Sequence, residues 1–156
     1  MKEYEKTGII GLEDLQIPSE EHLKKGIAIT ECVQEIPCNP CVDACPVDAI
    51  SMETINALPV VDYDRCTGCG RCVGVCPGLA IFVVKTEGDK ALITLPYEFL
   101  HVPEKEEEVA ALDREGKEAG MAVVKRVIKK KDNTCVITIE VSKNLAMTVR
   151  NIKVVK

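Results

Sequence analysis

Seven of the nine cysteines in this 156-residue chain fall into two runs, Cys38-x2-Cys41-x3-Cys45-Pro46 and Cys66-x2-Cys69-x2-Cys72-x3-Cys76-Pro77. Three thiolates on one tight turn, with a fourth donor just beyond it and a proline after that, is the spacing that wraps a cubane [4Fe-4S] cluster. A cubane has iron at alternate corners, so its ligands must converge from several directions. A curled backbone allows this, whereas an extended strand throws successive side chains to opposite sides. Gly68, Gly70, Gly74 and Gly78 crowd the second run, where curling around the sulfurs favours positive φ and exposed N–H groups. Pro46 and Pro77 fix φ after the last ligand and start the next turn.

The first run is one cysteine short until the two are superimposed. Laying Cys38, Cys41 and Cys45 on Cys69, Cys72 and Cys76 also lays Ala49-Ile50 on Ala80-Ile81 and Ile29-Thr30-Glu31 on Val60-Val61-Asp62. The counterpart of Cys66 is then Glu35, but Cys32 lies three residues earlier, as if the first turn carried an insertion. With Cys32 the donors number eight, the count two cubanes need. The chain therefore reads as a duplicated unit of short strand, ligand turn and short helix. Cys135, the ninth cysteine, falls on the apolar side of an expected strand and reads as a buried thiol packing as a small hydrophobe. It is the substitute donor only if Cys32 is not a ligand.

Residues 27–83 resemble the bacterial-type dicluster ferredoxins, the second run fitting the C-x2-C-x2-C-x3-C-P signature at every position. In such proteins the fourth cysteine of each run ligates the other cluster. Carried over ligand by ligand, the resemblance implies one [4Fe-4S] cluster on Cys32, Cys38, Cys41 and Cys76, and a second on Cys66, Cys69, Cys72 and Cys45. Two departures stand in the first run: the x5 gap after Cys32, and Pro40, which removes a backbone N–H that could face a sulfur.

Zinc is the competing chemistry, since C-x2-C pairs also build tetrahedral zinc sites. Zinc modules separate two such pairs by a longer spacer, whereas Cys66, Cys69 and Cys72 are evenly packed. Disulfides are disfavoured because residues 1–8 are charged and lack the apolar stretch of a secretory signal, which points to a reducing, cytoplasmic compartment. The longest uncharged stretch, 72–84, is too short to span a bilayer. Formal charge is −5, and eight thiolates with two oxidised cores bring the loaded protein to about −9. That acidity, with 3% aromatic residues and no Trp, argues against nucleic acid and for basic docking surfaces on redox partners. Lys129, Lys130 and Lys131 read as a solvated run at a hairpin end.

Around these residues the chain divides into an extension over 1–26, a ferredoxin domain over 27–85 and a β-rich module over 86–156. Ser19 as N-cap, Glu20 and Glu21 in the first turn, Lys24 and Lys25 in the last, and Gly26 after them define a short helix. It delivers Ile27-Ala28-Ile29 as a strand towards Cys32, and His22 on it reads as a solvated residue rather than a ligand, as does His101. Beyond Val84, residues 90–95, 121–131 and 134–141 read as strands, with Asp132-Asn133 as a hairpin turn. Residues 104–108 and 113–117 read as loops, and 142–151 fits a short helix before a final strand. The expected fold is α+β: a pseudo-twofold dicluster core followed by a small β-barrel or β-sandwich.

No nucleophile with its base, paired carboxylates or dinucleotide fingerprint is recognisable; Gly68-x-Gly70 lacks the third glycine. The chain is therefore expected to be an electron carrier rather than an enzyme, and an extra β-module points to docking in a complex. The layout resembles the small iron-sulfur subunits of flavin-dependent amine and imino-acid dehydrogenase complexes, such as proline or hydroxyproline dehydrogenases. That resemblance implies a flavoprotein dehydrogenase partner and a further acceptor. A freely diffusing ferredoxin and a structural zinc-cysteine interaction module are the alternatives.

Overall fold

The computed structural model describes residues 2–155. After a five-residue helix, α1 (Glu3–Thr7), a single 3-10 turn over Leu12–Asp14 leads to Gln16, which stitches the extension to the rest of the molecule. The Gln16 side chain donates to Val61 O at 2.7 Å and accepts from Val61 N at 3.2 Å, while Tyr63 Oη donates to Gln16 O at 2.5 Å. Helix α2 (Glu20–Lys25) follows, with Ser19 Oγ accepting from His22 N and Gly26 ending it at φ 91°. His22 is more engaged than a solvated residue: its ring nitrogens lie 2.9 Å from Ser19 Oγ and 2.9 Å from Asp64 Oδ1.

The duplicated unit then appears twice. The first copy is β1 (Ile27–Thr30), α3 (Pro40–Ala44) and β2 (Ile50–Ser51); the second is β3 (Val60–Val61), α4 (Arg71–Val75) and β4 (Ile81–Glu87). Helices α3 and α4 superimpose under the same shift that aligns the cysteines. So do two residues in the left-handed region, Asp48 at φ 53° and Leu79 at φ 54°.

The copies exchange strands. β1 pairs antiparallel with β4, Thr30 opposite Ile81, and β2 pairs with β3, Ile50 opposite Val61. Two 2.7 Å bonds extend the exchange symmetrically, from Glu31 N to Ala80 O and from Asp62 N to Ala49 O. Each copy is thus completed by the other, and neither could bury its apolar strand alone.

The remaining strands are β5 (Lys90–Tyr97), β6 (Glu108–Leu112), β7 (Glu118–Lys129), β8 (Cys135–Ser142) and β9 (Asn151–Lys153), with a 3-10 turn over Lys143–Leu145. The expected barrel or sandwich gives way to one seven-stranded antiparallel sheet in the order β1-β4-β5-β8-β7-β6-β9. No closed barrel forms among the described residues, and the sheet ends at β1 and β9. Strand β4 joins the two parts: it pairs with β1 on one edge and β5 on the other, and Ile81, Phe82, Val83 and Val84 are all buried, so both of its faces are covered as well. Ile93, Leu95, Ile137 and Ile139 continue the core along β5 and β8. Cys135 is buried at the start of β8, as its alternating pattern foretold.

Strand β6 was unforeseen, and the expected 142–151 helix shrinks to the 3-10 turn before β9. The turn at Asp132-Asn133 forms as read: Asp132 Oδ1 accepts from Thr134 N at 3.0 Å, and Asn133 adopts φ 69°.

A buried ion cluster ties the end of β1 to the last third of the chain. Glu31 receives Arg114 Nε at 2.7 Å, Arg114 Nη2 at 3.0 Å and Arg150 Nε at 2.6 Å. Arg150 also donates to Ala146 O and Val149 O and lies over the Phe82 ring, 5.4 Å from its centroid. Burial alone would raise the Glu31 pKa, but the two guanidinium groups outweigh it and hold the carboxyl below its ordinary value.

Candidate metal centre

Two cavities gather the eight cysteines four and four. Cys32, Cys38, Cys41 and Cys76 line the first, with Gln34, Ile36, Pro40, Met52, Pro59, Pro77 and Ile81 among the other wall residues. Cys45, Cys66, Cys69 and Cys72 line the second, beside Ala28, Val47, Ile50 and Gly70. Each cavity takes three cysteines from its own turn and one from the far copy: Cys76 crosses to the first and Cys45 to the second. Cys32 stands with the first group despite its displaced spacing, and Cys135 joins neither.

Backbone donors address Cys45, Cys76 and Cys66 among the sulfurs. Ala49 N–H points at Cys45 Sγ at 3.2 Å, and its repeat counterpart Ala80 N–H points at Cys76 Sγ at 3.4 Å. Ala28 N–H from β1 meets Cys66 Sγ at 3.3 Å. An N–H aimed at a sulfur favours negative charge there, which stabilises thiolate and raises the potential of a bound cluster. The sequence singled out Ala49 and Ala80 as aligned positions but held no sign of this role. Ala28 could be found only from the packing of β1.

The backbone of the second turn curls where expected at two of four glycines. Gly68 has φ 70° and Gly70 φ 80°; a Cβ at Gly68 would come 2.8 Å from Gly26 O, so glycine is required there for close approach as well as conformation. Gly74 and Gly78 do not take positive φ. Gly74 instead lies within α4, where the missing side chain makes room for Lys130, whose Nζ donates to Gly74 O.

Burial and crowding hold the thiols inside the cavities towards their neutral form. Burial pushes the Cys72 thiol up to about 12, with Cys66 and Cys69 adding to the effect. Burial likewise raises Cys41, helped by Cys76 and Cys38. Cys41 also acts on Cys72, so the two groups of four are neighbours within one interior. Crowded buried thiols ionise together only if positive charge is placed among them. Among the described residues no three of His, Cys, Asp or Glu are grouped to hold a single metal ion. The donor set is instead four sulfurs around each of two spaces, with backbone N–H groups behind them, and this fits an iron-sulfur cluster.

Residues 59–82, spanning β3, the second cysteine turn and the start of β4, match the family of 4Fe-4S binding domains. The chain therefore carries a segment of the 4Fe-4S binding type, similar to that of ferredoxins. Over 80 residues it is 34% identical to an uncharacterized ferredoxin of Methanocaldococcus jannaschii, the match covering 51% of this chain and 52% of that protein. It is 39% identical over 74 residues to the polyferredoxin-like subunit of an aliphatic sulfonate oxidoreductase from Pyrococcus furiosus, covering 47% and 42%. A third relative, 32% identical over 77 residues, is subunit beta of a dissimilatory-type sulfite reductase from Archaeoglobus fulgidus, covering 49% and 19%. The chain spans about half or less of the length of these relatives. No solved structure matches it. No helix among the described residues is long and apolar enough to cross a membrane.

Proposed function

We propose that the chain binds two [4Fe-4S] clusters, one on Cys32, Cys38, Cys41 and Cys76 and one on Cys45, Cys66, Cys69 and Cys72, and serves as the electron-transfer subunit of an oxidoreductase complex. The observation that carries this reading is the division of eight cysteines into two neighbouring cavities of four. A cluster bound in each supplies one-electron exchange. The cysteines hold it and the Ala28, Ala49 and Ala80 N–H groups offset its charge. The apolar walls keep water from the buried Cys41, Cys66 and Cys72, while Cys69 stays exposed.

Residues 27–85 are the cluster-binding domain in this reading, 1–26 an extension laid against it, and 86–156 the module that serves assembly. Substrate chemistry belongs to the partner. The relatives named as subunits of sulfonate and sulfite enzymes support a catalytic oxidoreductase subunit in that place, and a flavoprotein dehydrogenase is the form that the chain's layout implies.

Purification of the full chain under anaerobic conditions from its own cells tests the assignment. It should bring down a catalytic subunit in fixed ratio, whose cofactors identify the partner class, while the isolated chain accepts and donates electrons without oxidising any substrate. Isolation of the chain alone, fully loaded with iron, would instead make it a freely diffusing carrier. Substrate turnover by the isolated chain would overturn the carrier reading.

A further inference from the structure

Beside the second cysteine cavity a groove of about 600 Å³ opens between α4 and the sheet. Cys69 lines both spaces and is itself exposed, so the second group of four reaches the surface at the floor of this groove. The groove carries three cations, Arg71, Arg126 and Lys130, against one carboxylate, Asp43. In a chain of net charge −5 this is a local reversal of sign.

Arg71 and Arg126 are exposed and make no ion pair or side-chain hydrogen bond among the described residues. Lys130 is held across the groove by its bond to Gly74 O and lies 3.9 Å from Asp132. Between the cations run Val75 and Ile128, each 39% exposed, with Val136 beneath them. An apolar centre flanked by unpaired charge is the anatomy of a protein interface, and uncommitted guanidinium groups at its rim select carboxylates.

We infer that this groove docks a carboxylate-bearing segment of the protein that exchanges electrons with the chain, bringing that partner's redox centre to Cys69. The acidic remainder of the molecule then turns other approaches away, so that charge directs the partner to the one place where a cluster ligand is exposed. The inference rests on Cys69 being a cluster ligand, and it reverses the expectation that the partner's docking surface is basic.

The test uses the full chain reconstituted with iron and sulfide, and a fluorescein-labelled peptide of alternating glutamate and leucine. Its lysine-for-glutamate counterpart, citrate and inorganic phosphate serve as controls. Iron and sulfide are assayed first, so that failure of the cluster reading shows there and not in the titration.

The acidic peptide should bind and be released by added salt, which shortens the reach of exposed charges. The double variant Arg71→Gln with Arg126→Gln, both exposed positions, should keep its iron and bind about tenfold more weakly, the sum expected of two exposed charge pairs. Lys117→Gln, an exposed cation outside the groove, should change nothing. Undiminished binding by the double variant overturns the inference, even if the cluster potential moves. So does tighter binding of the lysine peptide. Competition by citrate or phosphate at the peptide's own affinity also overturns it, since the groove would then be a small-anion site.

Discussion

Cys32→Ala is expected to remove about four of eight iron atoms and leave the other cluster intact, because it takes one donor from the first cavity and none from the second. The paired variant Cys135→Ala should keep all the iron and lose only packing, about 1 kcal/mol for a small buried side chain. The contrast is sharp because both thiols lie off the regular repeat. Cys32 sits in a displaced position yet shares a cavity with Cys38, Cys41 and Cys76. Cys135 is 3% exposed in the sheet core, outside both cavities. Iron and sulfide assays with EPR of the reduced variants decide the matter. Loss of iron from Cys135→Ala, with Cys32→Ala unaffected, would reverse the assignment.

Glu31→Gln is the second change with a large effect. Glu31 is one of the few buried charged groups, and it joins Arg114 and Arg150 across 83 and 119 residues of chain. Neutralising it leaves Arg150, 6% exposed, buried without its counter-charge, an uncompensated arrangement that costs about 3 to 5 kcal/mol. Because the residue precedes Cys32 directly, the loosening should reach the first cluster before the second. Urea unfolding should show a lowered midpoint, and the first cluster should be lost at a denaturant concentration where the second persists. A midpoint unchanged from the native protein would show that the ion cluster contributes no net stability.

The same carboxyl has a pH signature. Its pKa is lowered in the folded state, so the stabilisation is present above the ordinary carboxylate range and is lost as pH falls through the lowered value. Glu31→Gln should flatten that acid limb.

Much of the site was legible because cysteine spacing is a local property. The superposition of Cys38 on Cys69 located α3 and α4 and placed Ala49 opposite Ala80, and the crossing of Cys45 and Cys76 followed from the resemblance. The sheet was harder. Nothing in Ile27-Ala28-Ile29 says that β1 pairs with β4, because that pairing joins residues more than fifty apart and is set by the folded chain and not by local pattern. Strand β6 escaped notice since Glu104, Glu106, Glu107 and Glu108 announce a solvated run. The Ala110-Ala111 pair after them has little intrinsic strand preference, and its place in the sheet comes from pairing with β7 and β9. The Glu31 cluster and the Arg71-Arg126-Lys130 groove have no local signature at all, since their members meet only after folding.

The most direct measurement is metal and sulfide analysis of anaerobically prepared full-length protein. It should contain about eight iron and eight sulfide per chain with negligible zinc, the count required by four cysteines around each of two cubanes. About four iron would mean that one of the two cavities holds no cluster, and two zinc ions without sulfide would contradict the electron-transfer account altogether.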